Sequence, residues 1–278
     1  MLASKILQEW NELIPSVPDT SMLRRTNKTD LGRISLNPRD GSIAILSLGE
    51  KKFESMFELT YITYNETTET WDGKRNMTCN ETGCANPVSA VWYPSLSEIY
   101  TNCSNTQQVG CHVVTRSEFN SSLHTKYGAP LTIYFEHVIL QDRVKSTLQW
   151  FNKSTTRLPE SLVLSFRPDC TNERVWESDV LGSFVRTDEV AIFGTTNPYQ
   201  RAVWSGVRLG ISENQHLYVE SLDAALACPI LDHDKSILGG STPMGEGTSP
   251  QHVALNVTGM AYSLYQNLMP ISGYVILS

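Results

Sequence analysis

The stretch VKSTLQWFNKSTTRLPESLVLSFRP, Val144 to Pro168, decides how the rest of the chain is read. Val144, Ser146, Leu148 and Trp150 alternate with Lys145, Thr147 and Gln149, the period of two that gives a strand one wet and one dry face. A polar turn follows. Arg157-Leu158-Pro159-Glu160 then leads into SLVLSF, a short apolar run of the kind found in more deeply buried strands. The pattern predicts a long hairpin in the middle of a sheet, with Arg157 and Glu160 as the pair that fixes its turn.

Outward from this stretch the chain offers more of the same. Arg33 to Leu36 and Ser42 to Leu46 flank Asn37-Pro-Arg-Asp-Gly41, a hairpin in which Asp40-Gly41 supplies the positive φ of a tight turn. Phe53 to Tyr64 is rich in aromatic and β-branched residues and is expected to pair with it. Residues 65–88 read as an exposed excursion, Val91 to Tyr100 as apolar again, and Cys103 to Asn120 as a second polar excursion. Leu131 to Leu140 is a strong strand leading into the central hairpin, and Trp176 to Phe184 a further strand and turn. Ala202 to Leu209 and Leu217 to Leu222 form a strand pair across Ser212-Glu-Asn-Gln215, before a Gly/Pro-rich loop at 232–250 and a closing apolar stretch, Val253 to Leu268. The helical signal is confined to the start, where Leu2, Ile6, Leu7, Trp10, Leu13 and Ile14 share a face ahead of Pro15. Many short strands with turns between them predict a mainly β chain, an antiparallel β-sandwich with a short N-terminal helix. Residues 1–20 hold the helix and 21–278 the sandwich region.

A chain of 278 residues can bury the core of one large β domain or two smaller ones. Its net charge of −7 and lack of a basic patch argue against nucleic acid as a partner. No apolar run approaches the roughly 18–20 residues of a spanning helix. Eight N-x-S/T sequons begin at Asn27, Asn65, Asn76, Asn80, Asn102, Asn120, Asn152 and Asn256. Chance would supply about three, so the excess points to a glycoprotein of the secretory pathway, secreted or lysosomal. Six cysteines, Cys79, Cys84, Cys103, Cys111, Cys170 and Cys228, agree with disulfides in an oxidising compartment. Cys79 and Cys84 form either a local staple or bonds to Cys103 or Cys111. The start MLASKILQEWNELIP, with Lys5, Glu9 and Glu12, is an amphipathic helix and not a signal peptide. Together these features lead to the expectation that the chain is the C-terminal part of a longer precursor, or the product of a mis-started gene model.

Candidate chemistry is sparse. Cysteine spacings of x4 and x7 lack paired CxxC knuckles, and the six histidines form no HExxH pair. Asp232-His233-Asp234 reads as a solvated acidic loop, because adjacent residues rarely ligate one ion. No serine sits in a G-x-S-x-G elbow, and the glycines at 239–247 do not make a phosphate cradle. Glycoside hydrolysis needs two carboxylates, for which Glu160, Glu220 and Asp223 are the best placed. Such residues beside strands are more often turn or edge residues. Trp92, Tyr93, Tyr199 and Trp204 are the aromatics that could stack on sugar rings, although at strand spacing aromatics more often fill the core.

Several segments, in order, resemble the C-terminal region of glycoside hydrolase family 38-like proteins, the α-mannosidase-like group carrying a domain of unknown function. The most specific is LQWFNKSTTRLPESLVLSF, Leu148 to Phe166, similar to a strand ending W-x-x-K-x-x-x-R-L-P-E followed by an apolar strand. FELTYITYNETT (Phe57 to Thr68), AVWSGVR (Ala202 to Arg208), VESLDAALACP (Val219 to Pro229) and GMAYSLYQNLMP (Gly259 to Pro270) are similar to weaker landmarks of the group. The resemblance implies a divided enzyme. An N-terminal α/β barrel would carry the zinc ligands and the carboxylate nucleophile, and a helical bundle, whose tail would be Ser4 to Ile14, would lead to C-terminal supersandwiches of galactose-mutarotase type. The barrel's His-x-Asp zinc pair has no counterpart here, so no catalytic residue carries over and no cofactor is expected in this chain. Its expected partners are its own catalytic domain and carbohydrate. Two loops depart from the group's pattern: Gly194 to Arg201 lacks a histidine, and Asn267 to Tyr274 lacks a Trp-Gly-Thr-Asn run. The competing expectation is a stand-alone secreted glycoprotein that binds carbohydrate or protein without catalysis.

Overall fold

Apart from one short helix, the regular structure of the described residues is antiparallel strand. The computed structural model describes residues 16–63, 88–103, 110–156, 158, 160–168, 175–187, 189–191, 201–212, 215–231, 252–254 and 257–267. The N-terminal helix, most of the first excursion and the loop at 232–250 lie outside the described residues. The strands begin with β1 (Arg24–Thr26), β2 (Ile34–Leu36), β3 (Ile43–Leu48), β4 (Lys51–Met56), β5 (Glu58–Thr63) and β6 (Ala90–Trp92). Next come β7 (Ser95–Cys103), β8 (Cys111–Glu118), helix α1 (Ser121–Tyr127), β9 (Thr132–Ile139), β10 (Val144–Phe151) and β11 (Glu160–Phe166). They continue with β12 (Trp176–Val180), β13 (Ser183–Arg186), β14 (Glu189–Ala191), β15 (Arg201–Ala202) and β16 (Gly206–Ser212). The last are β17 (Gln215–Glu220), β18 (Leu226–Leu231), β19 (His252–Ala254) and β20 (Val257–Asn267). The chain is mainly β, as expected.

The chain divides into two compact units. One comprises Met1–Gly41, Ile45–Lys52 and Pro94–Ser154; the other comprises Ser42–Ala44, Phe53–Tyr93 and Thr155–Ser278. The first is built on a five-stranded antiparallel sheet in the order β1-β7-β8-β9-β10. On β9 the alternation is complete: Ile133, Phe135, His137 and Ile139 are buried, and the residues between them are half-exposed. The second unit stacks a six-stranded sheet, β15-β18-β20-β11-β5-β6, on a four-stranded one, β13-β12-β16-β17. The Tyr262 hydroxyl on β20 crosses between them to donate to the Val219 carbonyl of β17 at 2.7 Å, tying the sandwich together. The first hairpin forms as expected, in a three-stranded sheet ordered β2-β3-β4, and Gly41 has φ +81°.

The central hairpin does not form. β10 pairs with β9, from Val144 opposite Ile139 to Phe151 opposite Thr132, and ends its sheet. β11 lies between β5 and β20 in the other unit. The reason is visible in the two patterns. Every residue of β11 is buried, whereas every residue of β10 is half-exposed or exposed. A strand with two dry faces needs neighbours and cover that a strand with one wet face cannot give it. Asn152, at φ +58°, turns the chain away after β10. Lys153 and Ser154 then fasten it to the end of α1 through the Gly128 carbonyl.

The second polar excursion is also corrected. Cys111–Glu118 forms β8, with β7 and β9 on either side. Its polar residues misled because Thr115 and Ser117 are buried, and the Ser117 hydroxyl donates to the Asp40 carbonyl at 3.0 Å. Helix α1 was not anticipated. Asn120 caps it by accepting from the Ser122 amide at 2.8 Å, and Gly128 ends it in the left-handed conformation.

Candidate functional site

Glu160 opens β11 with its side chain fully buried. A buried carboxylate must be met by donors, and three hydroxyls converge on it. Thr156 donates to Oε1 at 2.7 Å and Tyr265 to the same oxygen at 3.3 Å, while Tyr61 makes a very short bond to Oε2. Burial, reinforced by the neighbouring Glu160, pushes the Tyr265 phenol up to about 12. This cluster bridges β5, β11 and β20. It is a structural tie; a general acid or base would need reach to a substrate. Arg157, the expected partner in the turn, lies outside the described residues.

Trp204 lies elsewhere, in a loop bonded on one side to Asp179 and on the other to the loop that follows Glu220 and carries Asp223. Ser205 donates a very short hydrogen bond to Asp179 Oδ2, and the Gly182 amide donates to Oδ1 at 2.8 Å. The Trp204 amide donates to the Asp179 carbonyl at 2.9 Å. The third loop joins through the Ser221 amide, which donates to the Ser205 carbonyl at 3.0 Å, and through a bond from the Val203 amide to the Ala225 carbonyl at 2.8 Å. Glu220 lies opposite Gly206 in the β16–β17 ladder, and a Cβ at Gly206 would sit 2.2 Å from the Val219 carbonyl oxygen. Only glycine permits that approach.

Each of the three loops carries a large apolar residue in solvent: Leu181 is 84 % exposed, Trp204 75 % and Leu222 88 %. Beside them the Tyr218 hydroxyl lies 2.5 Å from Ser205 Oγ, and its ring packs edge-on against Phe184. Arg208 covers Phe184 at 3.7 Å while bonded to Glu177 at 2.6 Å. An exposed indole, next in sequence to the Ser205 hydroxyl, can take the apolar face of a sugar. Asp179, Leu181, Tyr218 and Leu222 were missed by sequence reasoning; the turn spacing Asp179-Val-Leu-Gly182 was the available signal. Glu160 belongs to the facing sheet and is not part of this platform.

Trp92 is half-buried, with its indole nitrogen donating to Thr63 at 3.0 Å, so it serves the fold. Tyr93 is exposed, whereas Tyr199 and Asp232-His233-Asp234 lie outside the described residues. Among the described residues no group of three or more His, Cys, Asp or Glu side chains could hold a metal ion. Nor does any described helix have the length and apolarity to cross a membrane. Cys103 and Cys111 are joined as a disulfide between register partners of β7 and β8, which points to an oxidising, secretory-type compartment. Cys228 is a free core thiol, packed with Ile62, Val163, Ile230 and Ala261, and burial pushes its pKa up to about 12. That corrects its place among the disulfide candidates: an apolar core suits a small hydrophobe. Cys79, Cys84 and Cys170 lie outside the described residues. Of the sequon asparagines, Asn27, Asn102, Asn120 and Asn152 are exposed, and Asn65, Asn76, Asn80 and Asn256 lie outside the description.

No protein-family model, curated protein or solved structure matches the chain.

Proposed function

We propose that this chain is the C-terminal, non-catalytic β-sandwich portion of a secreted or lysosomal α-mannosidase-like glycoside hydrolase. On this reading it supports a catalytic barrel and contacts carbohydrate through the Trp204 platform. The observation that supports it most is the placement of the resembling segments. Three of them, around Phe57 to Thr68, Leu148 to Phe166 and Gly259 to Pro270, contain β5, β11 and β20, adjacent strands of one sheet. The most specific motif residue, Glu160, ties those strands together, the work expected of a supporting domain. Zinc and the nucleophile belong to the barrel in this reading, and no step of hydrolysis is assigned to residues of this chain.

Transcript sequence upstream of Met1 tests the reading. An in-frame barrel with a His-x-Asp zinc pair and a signal peptide is the expected result; a stop codon preceded by a promoter contradicts it. The exposed Leu181, Trp204 and Leu222 favour a second reading, a stand-alone secreted glycoprotein that binds carbohydrate or protein. The same transcript separates the two.

A further inference from the structure

The four described sequon asparagines differ in the backbone that carries them. Asn120 precedes α1 as its cap, at φ −59° and ψ 134°, and Asn152 occupies a left-handed turn after β10. Asn27 follows the end of β1. Asn102 alone of the four lies within a strand: it pairs with His112 in the β7–β8 ladder, flanked by Thr101 opposite Val113 and Cys103 opposite Cys111. Its side chain is exposed, so the folded protein tolerates a glycan there.

Attaching that glycan is another matter. Transfer to a sequon needs the chain to bend so that the hydroxyl two residues on approaches the asparagine amide. Asn102 and Cys103, whose backbone must bend for that approach, are both held extended in the β7–β8 ladder. The next residue, Cys103, closes the hairpin covalently with Cys111 across a sequence separation of 8.

We propose that Asn102 is a redox-gated N-glycosylation site, available to the transferase only before the Cys103–Cys111 disulfide closes the β7–β8 hairpin. In the first reaction the Asn102 carboxamide nitrogen attacks the anomeric carbon of a lipid-diphosphate-linked oligosaccharide. The C–N bond forms, the C–O bond to phosphate breaks, and the amide gives up a proton as the lipid diphosphate leaves. In the competing reaction the Cys103 and Cys111 thiols give two electrons and two protons to a disulfide oxidoreductase and form the S–S bond. Glycosylation first leaves the thiols free to oxidise afterwards; oxidation first leaves Asn102 bare. The inference rests on passage through an oxidising secretory compartment and is independent of any hydrolase role.

The test is glycopeptide mass spectrometry of the full chain made through the secretory pathway of a eukaryotic cell. Asn120 and Asn152, outside strands, serve as internal controls and are expected to be nearly fully occupied, with Asn102 partly so. Cys111→Ser removes the disulfide while leaving the Asn102-Cys103-Ser104 sequon intact, and is expected to raise Asn102 occupancy about twofold or more with the controls unchanged. Adding a thiol reductant during synthesis of the wild-type chain is expected to do the same, which keeps the test valid if the variant fails to fold. Full occupancy of Asn102 in the untreated wild type overturns the proposal, as does flat occupancy in the reductant arm while the controls are filled. Bare asparagines at all three positions overturn the secretory reading and the inference with it.

Discussion

β10 and β11 are nearly equal in length and flank the single connection 152–159, yet they live by different rules. β10 ends a sheet with every residue half-exposed or exposed; β11 is interior and buried at every position. Alternation reports one dry face and a continuous apolar run reports two. Each strand was legible alone. Their difference was also the warning that they would not pair, because proximity in sequence favours a hairpin only when both strands can share the same cover.

The sharpest way to break this comparison is one substitution made on both sides. Val163→Lys places an unpaired charge in a fully buried position and should cost more than about 4 kcal/mol, enough to abolish a cooperative urea transition of the second unit. Glu160→Leu comes next. It leaves the Tyr61, Thr156 and Tyr265 hydroxyls without their shared acceptor and should cost roughly 3–5 kcal/mol. Glu160→Gln, which keeps an acceptor oxygen, should recover part of that.

A pH titration probes the other side of the comparison, where β10 meets β9. His137 is buried, stacks on Phe135 and has its Nδ1 2.8 Å from the Ser146 hydroxyl of β10. Burial lowers its pKa from 6.5 to about 4. Below pH 6.5 the unfolded chain therefore takes up a proton that the folded chain refuses. Stability is intact above that pH, falls by up to roughly 3 kcal/mol as pH drops towards 4, and levels off below it. Thermal melts across this range should show the slope in the wild type and lose it in His137→Gln.

The smallest stability effects belong to exposed positions. Trp204→Ala should weaken binding of a mannose-type oligosaccharide by about tenfold in a titration while moving stability by less than about 0.5 kcal/mol. Thr147→Lys, on the exposed face of β10, should be equally silent in the urea transition that Val163→Lys abolishes.

These contrasts show what the sequence could and could not carry. Strand β9 and the Asp40-Gly41 turn were legible because the signals are local: alternation in one, a positive φ in the other. β8 was hidden because Thr115 and Ser117 read as polar, and only the fold reveals that both are buried. Helix α1 announced itself through Asn120 and Gly128, but seven residues are too short for a periodic apolar face. The Trp204 platform was half legible. Trp204 stood out by residue type, whereas Asp179 gains its role from hydrogen bonds to a loop distant in sequence. Glu160 stood out for the wrong reason, as a possible acid, when its neighbours make it a tie between strands.

The most direct test compares the native protein, isolated with an antibody against this chain, with the chain produced alone. Both are assayed with zinc for hydrolysis of an aryl α-mannoside. The account predicts a native protein larger than this chain that hydrolyses the substrate, and no hydrolysis by the chain alone. Turnover by the chain alone, or a native protein no larger than it, would contradict the account.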